Sequence, residues 1–274
     1  MGASALAADG NAQPSGGAGS IADLFDREGY AVLRGALLGE EVDAFWSEFE
    51  MLRAADGLLL YAEHGSVHRG DEPVIADRRR ELRAINTQNR SPRARGLAMH
   101  PALAPTIEAL AGQTVGCIQT LCYSVSSRQG AHSDKFLVAP SYIGPYDRNS
   151  LVASWIACED AGEENGGLVI FPGSHRLPKS TVYDFGCDYG RYVSYLEDLC
   201  RVHDIAPQCF HARKGDVLIW HGDFVHAGGI PRDASLGRAS LVCHYAAVPP
   251  DAVLAHGGAV WRVAGGLVYG GADS

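Results

Sequence analysis

Lysine is nearly missing from this chain of 274 residues: of its 23 cationic residues only Lys135, Lys179 and Lys214 are lysines. With 32 acidic residues the net charge is −9. That is the wrong sign for a protein that tracks phosphates, so nucleic-acid binding is not expected. No run approaches 18 consecutive apolar residues, which leaves no candidate for a membrane-spanning helix. The seven cysteines are an odd number without any Cys-x-x-Cys spacing, which argues against both a disulfide framework and a zinc ribbon. Reduced thiols and a cytoplasmic location are expected. Residues 1–20 are rich in Ala, Gly and Ser and hold no cation or apolar stretch of the kind that opens a secretory leader. Leu6 breaks the myristoylation pattern. This stretch is expected to be a disordered tail ahead of one domain covering residues 21–274.

What is present suffices for a sizeable core: 46% of residues are hydrophobic and 20% charged. Ser20 and Asp23 form a capping-box pattern that opens a short helix through Phe25, closed by Gly29. Residues 30–33 read as a strand. Val42, Phe45, Phe49 and Leu52 recur at helical spacing within residues 40–53, with Asp43, Glu48 and Glu50 on the solvated face. A further helix is expected over 101–111. The period then changes to two, with Val115, Cys117, Leu121, Tyr123 and Val125 marking a half-buried strand. Strands are also expected at 151–158, 168–171, 217–220 and 240–246. This pattern predicts a mainly β protein, an antiparallel sandwich or barrel with flanking helices. Residues 177–206 show weak periodicity and four tyrosines (183, 189, 192 and 195), and are expected to form an irregular, mobile lid.

Two His-x-Asp triplets occur, His132-Ser133-Asp134 and His221-Gly222-Asp223. In a strand, residues i and i+2 share a face, so either pair could offer an imidazole and a carboxylate to one metal. His226 decides between them: it follows a separate strand and lies too near His221 and Asp223 to complete a facial set with them. Two histidines and one carboxylate on one face of an octahedron leave three positions open, the arrangement of non-haem Fe(II) oxygenases. Arg238 and Ser240 share a face at the start of another strand, where a guanidinium fork and a hydroxyl suit a bound carboxylate.

With these residues the chain resembles the phytanoyl-CoA dioxygenase (PhyH-like) family of Fe(II)/2-oxoglutarate-dependent oxygenases. The similar segments are residues 25–33 (FDREGYAVL), Gln119-Thr120-Leu121, Trp155 in SWIACED, the ENGGL string at 164–168, the FPGSH string at 171–175, and Lys214-Gly215-Asp216-Val217 leading to His221, Asp223 and His226. The resemblance covers about residues 21–248. It implies a double-stranded β-helix (jelly-roll) core. Iron is expected on His132, Asp134 and His226, and the distal carboxylate of 2-oxoglutarate on Arg238. Gln119, Leu121 and Trp155 fall where family members contact that cosubstrate. Two departures stand out: Gly228 occupies a position where the family often has Ser, so that the hydroxyl contact is either missing or replaced by Ser240, and the stretch between Asp134 and Trp155 is a few residues longer than usual.

The expected activity is therefore O2-dependent oxidation, foremost hydroxylation, of a C–H bond in a small-molecule metabolite, with release of succinate and CO2. Desaturation and cyclisation stay open. The presence of Asp134 disfavours a halogenase. A cupin-like sensor or a zinc hydrolase could use the same three ligands, but neither needs a clamp for a diacid. His175 reads as a turn residue and Arg78-Arg79-Arg80 as a solvated helix face. Asn86 and Gln88 are candidates for the pocket rim. Phe136, Tyr142 and Tyr146 are either a substrate wall or loop packing.

Overall fold

A computed structural model describes residues 20–55, 57–63, 66–138 and 146–271 of the chain. Residues 1–19 of the expected tail 1–20, and Tyr142, lie outside them; Ser20 belongs to the fold as the cap of the first helix. The helices are α1 (Ile21–Glu28), α2 (Gly39–Ala54), α3 (Pro73–Ala76), α4 (Pro92–Ala98), α5 (Ala104–Ala111), α6 (Tyr189–Val202) and α7 (Pro250–Ala255). The strands are β1 (Tyr30–Leu33), β2 (Leu60–Glu63), β3 (Ser66–Arg69), β4 (Arg83–Ile85), β5 (Gly116–Tyr123), β6 (Asp147–Ala157), β7 (Leu168–Ile170), β8 (Gln208–Cys209), β9 (Val217–His221), β10 (His226–Gly228), β11 (Ser240–Ala247), β12 (Gly258–Val263) and β13 (Gly266–Gly271).

The major sheet runs β1-β9-β6-β11-β5-β4-β2-β3, with β13 joining β5 in parallel and carrying β12. The minor sheet runs β10-β7-β8. The barrel interior lies between them, lined by Tyr123, Trp155, Leu168, Ile170, Leu218, Trp220 and Val242. Period-two alternation sorts each major strand: Leu241, Cys243 and Tyr245 of β11 pack outward under α2, α4 and α5, while Val242 faces in. The helices thus cover one face of the large sheet, leaving the other for a site.

The capping box is present, with the Asp23 amide donating to Ser20 Oγ at 3.2 Å and the Ser20 amide to Asp23 Oδ2 at 2.8 Å. All seven cysteines are unpaired. Among the described residues no helix is long and apolar enough to cross a membrane.

Two expectations about helices need correction. Residues 189–202 are a regular helix, not an irregular lid. Asp188 caps it by accepting from the Arg191 amide, and Tyr192, Leu196 and Cys200, four residues apart, are buried against Ala131, Phe171 and Val225. The stripe recurs at helical spacing and gives the segment a pronounced apolar face, a helical signal that the expectation of a lid passed over. The arginines at 78–80 form a turn after α3 instead of a helix face; Arg79 donates to the carbonyls of Ala76 and Arg53.

Candidate active site

His132 and His226 face each other across a single antiparallel bridge, each amide donating to the other's carbonyl at 3.0 Å. His226 opens β10, whereas residues 131–134 form no strand: Asp134 begins a turn, its carbonyl accepting from Leu137 and Val138. The i, i+2 pair therefore converges through a bridge and a turn, where a strand was expected. Each histidine is oriented by a backbone carbonyl, Nδ1 of His132 lying 2.8 Å from the Gly130 oxygen and Nδ1 of His226 3.2 Å from that of Phe224. A carbonyl can only accept, so Nδ1 carries the proton and Nε2 presents a lone pair. The two Nε2 atoms lie 3.8 Å from Asp134 Oδ1 and Oδ2 respectively. All three residues are buried, with ligand atoms within 4.8 Å of one another.

Burial, then the neighbouring His226, pushes the His132 imidazole down to about 3, so it stays neutral at ordinary pH. Burial would raise the Asp134 carboxyl, but His226, His244 and His132 outweigh it and hold it well below the usual carboxylate range. Trp220 Nε1 donates to Asp134 Oδ2 at 2.8 Å. Two imidazoles that turn their Nε2 atoms inward, with one carboxylate, form the donor set a non-haem iron takes.

The family-like strings hold these ligands in place. In FPGSH, Ser174 Oγ accepts from the Val225 amide at 2.9 Å, fixing the residue before His226. His175 is confirmed as a turn residue, Nε2 resting 3.1 Å from the Asp26 carbonyl. From α6, the Tyr192 hydroxyl meets Ser133 Oγ at 3.2 Å, and the Tyr189 hydroxyl accepts from Gln129 Nε2 at 2.9 Å. The helix braces the ligand loop from outside.

Arg238 is 2% exposed. Its Nη1 donates to Ser240 Oγ at 3.0 Å, and its guanidinium sits 5.7 Å from the ring centres of both Tyr123 and Trp155. No carboxylate of the described residues lies within ion-pair distance, and Nε has no hydrogen-bond partner. Burial lowers the guanidinium to about 10, so it remains charged. Asn165 of the ENGGL string donates to the Asp160 and Gly237 carbonyls, both at 2.9 Å, anchoring the residue before Arg238. Trp155 Nε1 is also buried without a partner. Leu121 lies on the inner face of β5 opposite Val242, and Gln119 stands opposite His244. At Gly228 a Cβ would come within 2.4 Å of Ser127 Oγ and 2.8 Å of the Arg128 amide. No side chain fits where the family often has Ser.

The other predicted residues lie elsewhere. Asp223 accepts from Lys135 at 3.2 Å, is ion-paired with Lys179 at 3.0 Å and stands 3.8 Å from His221, outside the three-ligand group. Gln88 is buried behind the sheet, its Oε1 accepting from Thr120 Oγ1 at 2.6 Å, so it does not rim the pocket. Phe136 and Tyr146 flank the Arg148 guanidinium at 6.0 and 5.1 Å. Sequence reasoning missed Trp220 and His244, apolar-strand residues whose inward direction was visible only as alternate positions of β9 and β11.

A family model described as phytanoyl-CoA dioxygenase (PhyH) matches residues 25–232. The peroxisomal phytanoyl-CoA dioxygenase of Rattus norvegicus is 23% identical over 241 residues, 81% of this chain and 66% of the relative. That of Bos taurus is 26% identical over 162 residues, 53% and 44% of the two chains. The chain thus spans under two thirds of these curated relatives. The epimerase SnoN of nogalamycin biosynthesis, solved with Fe3+, alpha ketoglutarate and nogalamycin RO, superposes with a TM-score of 0.59 at 21% identity over 89% of each chain. The carbocyclase SnoK of the same biosynthesis gives 0.62 at 18% identity, covering 82% and 83%. EctD from S. alaskensis, with 2-oxoglutarate and 5-hydroxyectoine, gives 0.58 at 21% identity over 82% of this chain and 74% of that one. These likenesses show the fold, and the family match over most of the chain makes this protein a member of the PhyH family, whose members are iron- and 2-oxoglutarate-dependent oxygenases.

Proposed function

We propose that this chain is an Fe(II)/2-oxoglutarate-dependent dioxygenase that hydroxylates a C–H bond of a small-molecule metabolite. The observation that carries this reading is Arg238, a buried guanidinium in the same barrel as the three-ligand group, with no carboxylate within ion-pair distance among the described residues. Burying an unpaired ion costs several kcal/mol, on the order of the penalty that a bound carboxylate would offset. Arg238 and Ser240 would hold the distal carboxylate of 2-oxoglutarate. Trp155, Leu121 and Gln119 would flank the cosubstrate, and His132, Asp134 and His226 would hold the iron, leaving three positions open. Iron with 2-oxoglutarate and O2 supplies an oxidant for C–H bonds, with release of succinate and CO2. The chain's own part is to orient these groups and to exclude water, through Trp220, Phe224 and Trp155.

A zinc hydrolase or a sensor on this barrel could use the three ligands but has no use for Arg238. Epimerisation or cyclisation is favoured as a second reading by the likeness to SnoN and SnoK. The test is succinate release by Fe(II)-loaded protein with 2-oxoglutarate and O2 across a panel of small metabolites. Substrate-stimulated succinate and a product heavier by one oxygen atom support hydroxylation. Stimulated succinate with a product of unchanged or lower mass selects epimerisation, cyclisation or desaturation. Turnover supported by zinc without 2-oxoglutarate would overturn the oxygenase reading.

A further inference from the structure

His244 is 2% exposed, and neither of its ring nitrogens has a hydrogen-bond partner. An imidazole in that state is costly to bury, and a buried polar group without a partner calls for an explanation. It lies on the inner face of β11, two residues beyond Val242, directly across from Gln119 of β5 and Ala153 of β6. The register against β5 shifts immediately after it, between His244 and Tyr245, a bulge of the kind that re-aims a side chain. The ring is thereby aimed at the metal group: Nε2 stands 3.4 Å from Asp134 Oδ2. His244 is not among the residues whose ligand atoms can share one ion, so it reaches the centre only through Asp134.

We propose that His244 is a positioning residue for Asp134. With its proton on Nε2, it forms with Trp220 Nε1 a two-donor cradle on Oδ2, closing from 3.4 Å to a full hydrogen bond when the centre is loaded. Oδ2 is then the oxygen occupied by donors, and Oδ1, on the His132 side, is the one presented to the ion. A carboxylate free to rotate or to bind through both oxygens would take up one of the three positions that cosubstrate and O2 require. Partners that orient ligands in this way typically change metal affinity 10–100-fold when removed.

The inference rests on the three-ligand reading, and the experiment separates the two. Fe(II) is titrated anaerobically into the wild type, His244→Phe, His244→Gln and Trp220→Phe, with folding checked by circular dichroism. The charge-transfer band of the Fe(II)–2-oxoglutarate complex is then recorded for each. His244→Phe is expected to weaken Fe(II) binding about tenfold or more and to shift the band. His244→Gln, which restores an N–H at similar reach, is expected to recover most of both. Trp220→Phe should act in the same direction. Wild-type affinity and an unshifted band in folded His244→Phe would overturn the proposal. Equal losses in the Phe and Gln variants would overturn it too, since ring packing would then be the cause. A wild type that binds no Fe(II) would remove the three-ligand reading itself, and with it this inference.

Discussion

The chain contains the same triplet twice, and the two copies have opposite fates. In His132-Ser133-Asp134 the imidazole is turned inward by a backbone carbonyl, and the carboxylate meets only hydrogen-bond donors and imidazoles. In His221-Gly222-Asp223 two of the three lysines in the protein converge on the carboxylate, and His221 Nδ1 accepts from the Asp223 amide at 3.1 Å. The first copy leaves His132 Nε2 and Asp134 Oδ1 without a hydrogen-bond donor, available to the proposed ion; the second uses His221 Nδ1 and its carboxylate within the protein. Spacing made both possible ligands, and what surrounds each carboxylate separates them. A negative group already paired with ammonium ions has little left to offer a cation.

The most severe way to break this contrast is to exchange the two copies as targets. His132→Ala or Asp134→Ala should abolish Fe(II) binding measured by anaerobic titration, with the fold retained by circular dichroism. His221→Ala and Asp223→Ala should leave binding near the wild-type level. Loss of iron in the second pair and retention in the first would reverse the assignment.

Arg238 sharpens the comparison from the other side, as a buried charge with no carboxylate within ion-pair distance among the described residues. Arg238→Ala should raise the 2-oxoglutarate concentration needed for half-maximal binding by orders of magnitude, on the order of 3–5 kcal/mol, with Fe(II) binding intact. Arg238→Lys should recover part of it, because a point charge lacks the fork. Unchanged 2-oxoglutarate affinity in the alanine variant would rule out the clamp.

Acid should act on both copies at once. Burial, reinforced by His226, pushes His132 down to about 3, and burial first of all pushes His221 to about 4, against about 6.5 in the unfolded chain. The unfolded state therefore binds more protons below pH 6.5, and stability is lost as the pH falls from there toward 4. Thermal melts of the metal-free protein should show the melting temperature dropping across that window. A flat or rising profile would contradict the burial of neutral imidazoles.

The smallest effect is expected from Asp223→Asn. It leaves Lys135, whose side chain is largely buried, without its counter-charge, at a cost of about 1–3 kcal/mol in denaturant unfolding. Fe(II) affinity should be unchanged.

The site was legible where chemistry depends on residue type and spacing. His132, Asp134 and His226 lie within ligand reach of one another and Arg238 lies beside Ser240; the iron and 2-oxoglutarate they would hold belong to the proposed function. Trp220 and His244 were not legible, because a tryptophan or a histidine within an apolar strand reads as core until the partner across the barrel is known. The helix α6 was legible but missed: Tyr192, Leu196 and Cys200 recur at a spacing of four along one strongly apolar face. The short strands β2, β3 and β4 and the terminal hairpin β12–β13 are held by sheet pairing rather than by an alternating pattern: β12 is half-buried or exposed along its whole length. Long strands with one buried face announce themselves; edge pieces are specified by their neighbours.

The backbone bridge between His132 and His226 has a consequence for folding. The two segments it joins are far apart in the chain, and between them run β6, β7, α6 and β9. An ion-binding centre cannot exist until that long loop has closed, so metal capture is a late event that reports completion of the whole domain rather than of any local piece. By the same linkage, an ion that binds only the closed form should slow global opening and leave the fraying of outlying elements such as β12–β13 untouched. Amide exchange with and without metal would then divide the molecule into a part that the ion locks and a part that it does not feel.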